Sequence, residues 1–96
     1  MPTVFVTGAN RGLGYEHVKQ YAHKGWKIIA CAREPEKANK LQELRAEYGD
    51  NFIIEQLDVV SHQDIDKLST KFKNTPIDIL INNAGTSGPL GMPGAM

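Results

Sequence analysis

Two rhythms of apolar and polar positions alternate along this chain. Thr3-Val4-Phe5-Val6-Thr7 is a short β-branched run that reads as a buried strand. From Leu13 the apolar positions change period: Leu13, Val18, Tyr21 and Ala22 form a helical stripe, and Gly25 closes it as the residue after the last turn. Lys27 to Ala32 is a second strand-length apolar run. Pro35 suits the first turn of a helix, and Ala38, Leu41, Leu44 and Tyr48 continue at helical spacing to Gly49. Phe52 to Leu57 reads as a third strand, polar enough for a sheet edge. Ser61 and Asp64 make a capping box before a helix whose buried face carries Ile65, Leu68 and Phe72. After Pro76, Ile77 to Ile81 is the fourth strand. Strand and helix thus alternate from β to β with short turns, which predicts an α/β fold: a doubly wound, Rossmann-like parallel sheet of four strands with right-handed crossovers. Residues 1–84 would form that half domain, and the Gly/Pro-rich stretch 85–96 a loose tail.

One connection differs from an ordinary turn. Gly8-Ala9-Asn10-Arg11-Gly12-Leu13-Gly14 leaves the first strand and opens onto the first helix. A helix N-terminus offers outward-pointing N–H groups and about half a positive charge, so a glycine turn in front of it is suited to an anion such as phosphate. Gly8 would allow the tight exit from the strand, Gly12 a close backbone approach to the phosphate, and Gly14 close helix-to-strand packing. The spacing is Gly-x-x-x-Gly-x-Gly rather than the Gly-x-Gly-x-x-Gly of the dinucleotide fingerprint, so the mechanism carries over but that pattern does not. Taken alone, such a loop could be a plain turn.

Composition narrows the classes. The chain has 96 residues, 41% hydrophobic and 23% charged, an ordinary globular balance for one small domain. Eleven basic and eleven acidic residues cancel, which gives no electrostatic case for nucleic acid or an anionic membrane as the main partner. The single cysteine, Cys31, cannot form an internal disulfide, and its apolar setting Ile28-Ile29-Ala30 suggests a small buried hydrophobe. A reducing cytoplasm is the expected compartment. No signal peptide or apolar stretch approaching the ~20 residues of a membrane span is read from the sequence. His17, His23 and His62 lack metal-ligand spacing, so no metal is expected. Ser61 is better explained as a cap than as a nucleophile, and Ser69 and Ser87 have no partner base.

In an open α/β sheet, ligands bind beyond the carboxyl ends of the strands. Here the four strands end in the glycine turn, in Ala32-Arg33, in Asp58-Val59 and in Asn82-Asn83-Ala84-Gly85. With Thr-Gly-x-x-x-Gly-x-Gly at 7–14, Asp-Val at 58–59 and Asn-Asn-Ala-Gly at 82–85, the chain resembles the short-chain dehydrogenases/reductases over residues 3 to 88. The resemblance implies the strand order 3-2-1-4, left incomplete at the strand-four side, and an oxidoreductase that transfers hydride between a nicotinamide dinucleotide and a carbonyl or alcohol. Gly8, Ala9, Asn10, Arg11, Gly12 and Leu13 would hold the pyrophosphate and adenosine ribose, with Gly14 behind them. Asp58 would accept from the adenine amino group with Val59 flanking the ring. Asn83, Ala84 and Gly85 would lie along the cofactor ribose, and Asn82 would brace the central strands.

Charge bears on which dinucleotide. An acid at the end of the second strand would bind the 2′-hydroxyl of NAD, whereas an arginine accommodates the 2′-phosphate of NADP. Ala32 occupies the position of the acid, Arg33 follows it, and Arg11 supplies a second cation, so NADP is expected over NAD, with Glu34 a modest opposing charge.

The family implies an active-site Tyr-x-x-x-Lys and an upstream Ser after a fifth strand, and no such set is found. Tyr15-Glu16-His17-Val18-Lys19 has the spacing but lies on the helix behind the phosphates, where a helical surface pair is the expected role. The sequence therefore reads as a cofactor-binding part that binds weakly without turnover, with a small carbonyl or alcohol substrate only in a full-length form. Two alternatives stand beside it: a nucleotide-binding or assembly module pairing through an open fourth strand, and an inert fragment. Domains of ~60 residues bury about 60% of their unfolded surface and ~150-residue domains about 69%, so this length is marginal for independent folding.

Overall fold

The computed structural model describes residues 1–58 and 60–83. Strand β1 runs Thr3–Thr7, helix α1 Gly12–His23, β2 Lys27–Ala32, α2 Asn39–Tyr48, β3 Phe52–Gln56, α3 His62–Lys71 and β4 Ile79–Asn82. The strands form one parallel sheet in the order β3-β2-β1-β4, the predicted arrangement. Between β1 and β3 the chain steps outward one strand at a time, with α1 and α2 as crossovers. From β3 it returns past β2 and β1 to lay β4 on the far side of β1. Crossovers of one hand require the returning helix to lie on the opposite sheet face, and the two cores show that it does. Val4, Val6, Ile28, Ala30 and Phe52 pack with Val18 and Ala22 of α1 and Leu41 and Leu44 of α2. On the other face Ile29 and Cys31 meet Leu68 of α3, with Phe5 and Phe72 alongside. The reversal point between β1 and β4 is where an open sheet of this kind leaves a crevice at its carboxyl edge.

Each element follows from its residues. β2 is flanked on both edges and covered on both faces, and its residues Ile28 to Ala32 are at most 1% exposed, matching their continuous apolar run. Helix α1 stops where Gly25 N–H donates to the Ala22 carbonyl at 3.0 Å and Trp26 N–H to the Tyr21 carbonyl at 3.1 Å. Tyr21 and Trp26 then meet edge to face, 4.8 Å between centroids. β3 is the sheet edge, as its polar content predicts.

Four details depart from the pattern-based reading. Leu13, counted in the apolar stripe of α1, is 69% exposed, because it sits in the first turn, beyond the carboxyl end of β1. The segment after β2 is not one helix: Pro35–Lys37 forms a 3-10 turn, and Ala38, at φ −88° and ψ 70°, breaks from it before α2 starts. Burying the Ala38 methyl in the core accounts for the break. β3 ends at Gln56 rather than at Leu57. β4 begins at Ile79 rather than Ile77. There the Asp78 carboxylate takes the Thr3 N–H at 2.7 Å, and Asp78 N–H donates to the Thr3 carbonyl at 2.9 Å. A side chain thereby substitutes for the backbone acceptor, and regular pairing starts one residue later. The stretch 85–96, and with it the domain boundary expected after residue 84, lies outside the described residues.

Candidate functional site

The carboxyl ends of β1 and β4 are fastened to each other through one hydroxyl. Register pairs Thr7 with Asn82. The Thr7 hydroxyl donates to Asn82 Oδ1 at 2.9 Å and accepts the Asn83 backbone N–H, also at 2.9 Å. Thr7 is 5% exposed, so both bonds lie in a partly desolvated setting where an unpaired polar group is costly. Asn82 braces the central strands as the sequence suggests; Thr7, which the motif contains but which was not among the expected site residues, is the other half of the brace. A hydroxyl on the last inward-facing position of a buried strand was the available signal.

The glycine turn lies directly over this brace. Gly8 and Gly12 take φ of +59° and +58°, a backbone region that side chains disfavour. Ala9 is fully buried, and its N–H donates to the Cys31 carbonyl at 2.9 Å, pinning the turn to the end of β2. Gly14 has no room for a side chain: a Cβ there would lie 2.2 Å from the Gly8 carbonyl oxygen and 2.7 Å from Asn83 Nδ2. Asn83 Nδ2 itself points to the Gly8 carbonyl at 3.4 Å. Gly8, Gly14, Asn83 and Thr7 therefore form one contact unit at the reversal point.

Helix α1 opens with Arg11 in extended backbone, without a side-chain cap hydrogen bond and without an acid in its first turn. Its leading N–H groups and the positive end of its dipole thus face the crevice with no internal counter-charge in that turn. Asn10, Arg11, Gly12 and Leu13 are exposed around it. At the next strand end, Ala32 is buried and Arg33 exposed. Glu34, the acid that follows, has its carboxylate 3.4 Å from Lys37 Nζ, so the charge beside Arg33 is partly offset. This solvent-exposed pair adds little stability.

Asp58, at the end of the β3 segment, is held on three sides. Its N–H donates to Asp64 Oδ2 at 3.0 Å, its Oδ1 accepts the Val60 N–H at 3.1 Å, and its carbonyl accepts the Ser61 N–H at 2.8 Å. Ser61 caps α3 as expected, its hydroxyl accepting the Asp64 N–H at 3.2 Å. The second half of the capping box does not form: Ser61 N–H is already taken by the Asp58 carbonyl, so the Asp64 carboxylate turns to Asp58 instead. Val59, Ala84 and Gly85, also expected at the site, lie outside the described residues.

Two further candidate side chains are accounted for by packing. The Tyr15 ring packs against the core between α1 and α2, with Lys19 Nζ 5.8 Å and Lys40 Nζ 5.4 Å from its centroid. That is the surface pair anticipated, extended to a second cation. Cys31 is fully buried, and burial, with the nearby Glu55 charge adding to it, pushes its thiol far above the ordinary range. It is a packing residue, not a nucleophile. Among the described residues no group of three or more His, Cys, Asp or Glu could hold a metal ion, and no helix is long and apolar enough to cross a membrane.

A parallel sheet in this order, with a glycine turn and an uncapped helix start at its reversal point, defines the doubly wound Rossmann-like class. A sequence model of the family described as short chain dehydrogenase matches residues 2–93, and the chain belongs to that family. It is 43% identical over 91 residues to the NADP-dependent 3-hydroxy acid dehydrogenase YdfG of Escherichia coli O6:H1, covering 93% of this chain and 35% of that protein. A probable NADP-dependent dehydrogenase of Dichelobacter nodosus is 40% identical over 87 residues, covering 85% of this chain and 76% of the relative. Among solved structures, a carbonyl reductase from Pseudomonas aeruginosa PAO1 in complex with NADP superposes with a TM-score of 0.84 at 30% identity, over 93% of this chain and 40% of that one. The chain thus spans about a third of the length of the E. coli relative.

Proposed function

We propose that this chain binds NADP(H) by its adenosine and pyrophosphate half across the reversal point between β1 and β4. The observation that carries the reading is the start of α1: an uncapped, acid-free helix N-terminus whose first turn holds Gly14, where a Cβ would strike the Gly8 backbone. Gly8, Ala9, Asn10, Arg11, Gly12 and Leu13 would hold the pyrophosphate and ribose there. Asp58 and Val59 would take the adenine, and Asn83, Ala84 and Gly85 the cofactor ribose. Arg11 and Arg33 would take the 2′-phosphate. With Ala32 in place of an acid and Glu34 paired to Lys37, the second strand end favours a phosphate over a bare hydroxyl. The NADP-dependent relatives and the NADP-bound carbonyl reductase support the same choice.

When bound, the dinucleotide supplies or accepts a hydride at its nicotinamide ring. Proton transfer to match that hydride needs a tuned acid or base. The one Tyr-x-x-x-Lys spacing in the chain, Tyr15 to Lys19, has its ring packed between α1 and α2. The chain as given therefore binds cofactor weakly without turnover, and a longer form would act on a small carbonyl or alcohol. Titration calorimetry with NADP and NAD tests the first part. NADP should bind the more tightly, and Arg33→Ala should weaken NADP about tenfold, roughly the weight of one charge-assisted hydrogen bond, while leaving NAD unchanged. Equal affinities for the two dinucleotides would overturn the 2′-phosphate assignment, and measurable carbonyl reduction by the 96-residue chain would overturn the absence of turnover.

A second reading, association between copies through β4, is favoured by Leu80, which is 66% exposed on the strand at the end of the sheet order. Sedimentation velocity from micromolar to millimolar concentration tests it, and a monomer throughout that range rules it out.

A further inference from the structure

The carboxylate that failed to close the capping box has a different partner, and that partner is at the candidate site. Asp64 sits in the first turn of α3, half-buried, with its N–H on the Ser61 hydroxyl at 3.2 Å. Its Oδ2 accepts the backbone N–H of Asp58 at 3.0 Å. The Ser61 N–H returns to the Asp58 carbonyl at 2.8 Å, and the Val60 N–H to Asp58 Oδ1 at 3.1 Å. Three of these hydrogen bonds fix the peptide groups on both sides of Asp58 and one oxygen of its carboxylate, and the fourth, from Asp64 N–H to the Ser61 hydroxyl, caps the helix start. The second oxygen, Oδ2, has no hydrogen-bond partner among the described residues.

We infer that Asp64 is a positioning residue for recognition of the base, acting through Asp58. The inference rests on the reading above that Asp58 faces adenine. A carboxylate on a loop just past a strand end has two soft backbone dihedrals and two side-chain torsions to fix before it can select an amino group. The Val60 N–H fixes the torsions, leaving Oδ2 as the oxygen that can accept from a ligand. Asp64 fixes the backbone and couples it to the rigid start of α3. An aspartate suits the task better than the glutamate of an ordinary capping box. Its shorter arm keeps the carboxylate near its own backbone, where the Asp58 N–H lies, instead of folding back over Ser61.

The test compares NADP with its hypoxanthine analogue, nicotinamide hypoxanthine dinucleotide phosphate, by titration calorimetry on the 96-residue chain. The analogue replaces the 6-amino donor by an acceptor, so affinity for the pair reports the placement of the Asp58 carboxylate and little else. The unsubstituted chain should prefer the adenine form by about tenfold, because a site that expects a donor is left unpaired by the analogue. Asp64→Asn keeps an acceptor at the same reach and should keep that preference. Asp64→Glu keeps a charge in the first turn of α3, and so its folding stability, but displaces the acceptor; its preference should fall below about threefold. Ser61→Ala, which weakens the helix start without removing Asp64, should lower the melting temperature and leave the preference in place. A full preference in Asp64→Glu, or equal loss in Ser61→Ala, would overturn the positioning role while leaving the adenine reading intact. If the unsubstituted chain binds NADP but shows no preference for adenine, the reading of Asp58 fails, and the inference fails with it.

Discussion

Two side chains of opposite size govern the site. Gly14 matters for the atom it lacks. A Cβ placed 2.2 Å from a backbone carbonyl cannot be relieved by a rotamer change, so Gly14→Ala must move α1 off β1 or distort the Gly8 peptide. Overpacking of this kind costs about 1–3 kcal/mol, and here the strained atoms belong to the glycine turn. Urea denaturation should show that loss, and NADP affinity should fall more than tenfold. Thr7 matters for one oxygen. Thr7→Val keeps volume and β-branching but strands the Asn83 N–H and removes a donor to Asn82, so about 1–3 kcal/mol should be lost. Calorimetric unfolding would measure it; an unchanged midpoint would mean that water replaces both bonds. At this scale the sequence was half legible. Glycine spacing revealed where backbone must approach closely, because absent side chains leave a mark in the pattern. The Asn83-to-Gly8 contact and the hydroxyl brace depend on strand register, which only the paired sheet supplies.

Elements were legible wherever the period was clean. The run Lys27 to Ala32 became β2 with its expected bounds, since a strand covered on both faces has no polar position to blur its ends. Ends that depend on a single competing side chain were harder to place. Asp78 delays β4 by taking the Thr3 N–H, and the buried Ala38 splits the segment before α2. The first is a local trade between a side chain and the backbone ladder, invisible to a hydrophobic pattern. The start of α3 is the opposite case, where Ser61 acts as the cap its sequence announces. Ser61→Ala should therefore cost about 1 kcal/mol, the usual weight of such a cap. Amide exchange would confirm it if protection falls through the first turn of α3 and stays unchanged in α1.

For the molecule as a whole, the two faces of the sheet are unequally covered. Among the described residues, helices α1 and α2 bury one face from Phe52 across to Ile81, whereas α3 alone serves the other, over Ile29, Cys31 and Phe5. Leu80 pairs in register with Phe5 and so shares that second face, yet it is 66% exposed while Ile28, on the first, is 1% exposed. Stability should then be distributed as burial is. Ile28→Ala removes three buried carbons and leaves a cavity under two helices, at a cost of about 2–5 kcal/mol. For a chain this small the whole folding free energy is of order 5 kcal/mol, so that variant should retain only about 0–3 kcal/mol and melt far below the unsubstituted chain. Leu80→Ser exchanges surface already in water for other surface in water and should shift stability by less than about 0.5 kcal/mol. Far-ultraviolet circular dichroism across a thermal ramp distinguishes the two. A Leu80→Ser loss approaching that of Ile28→Ala would mean that the second face is covered in solution, which is also the outcome that association through β4 requires.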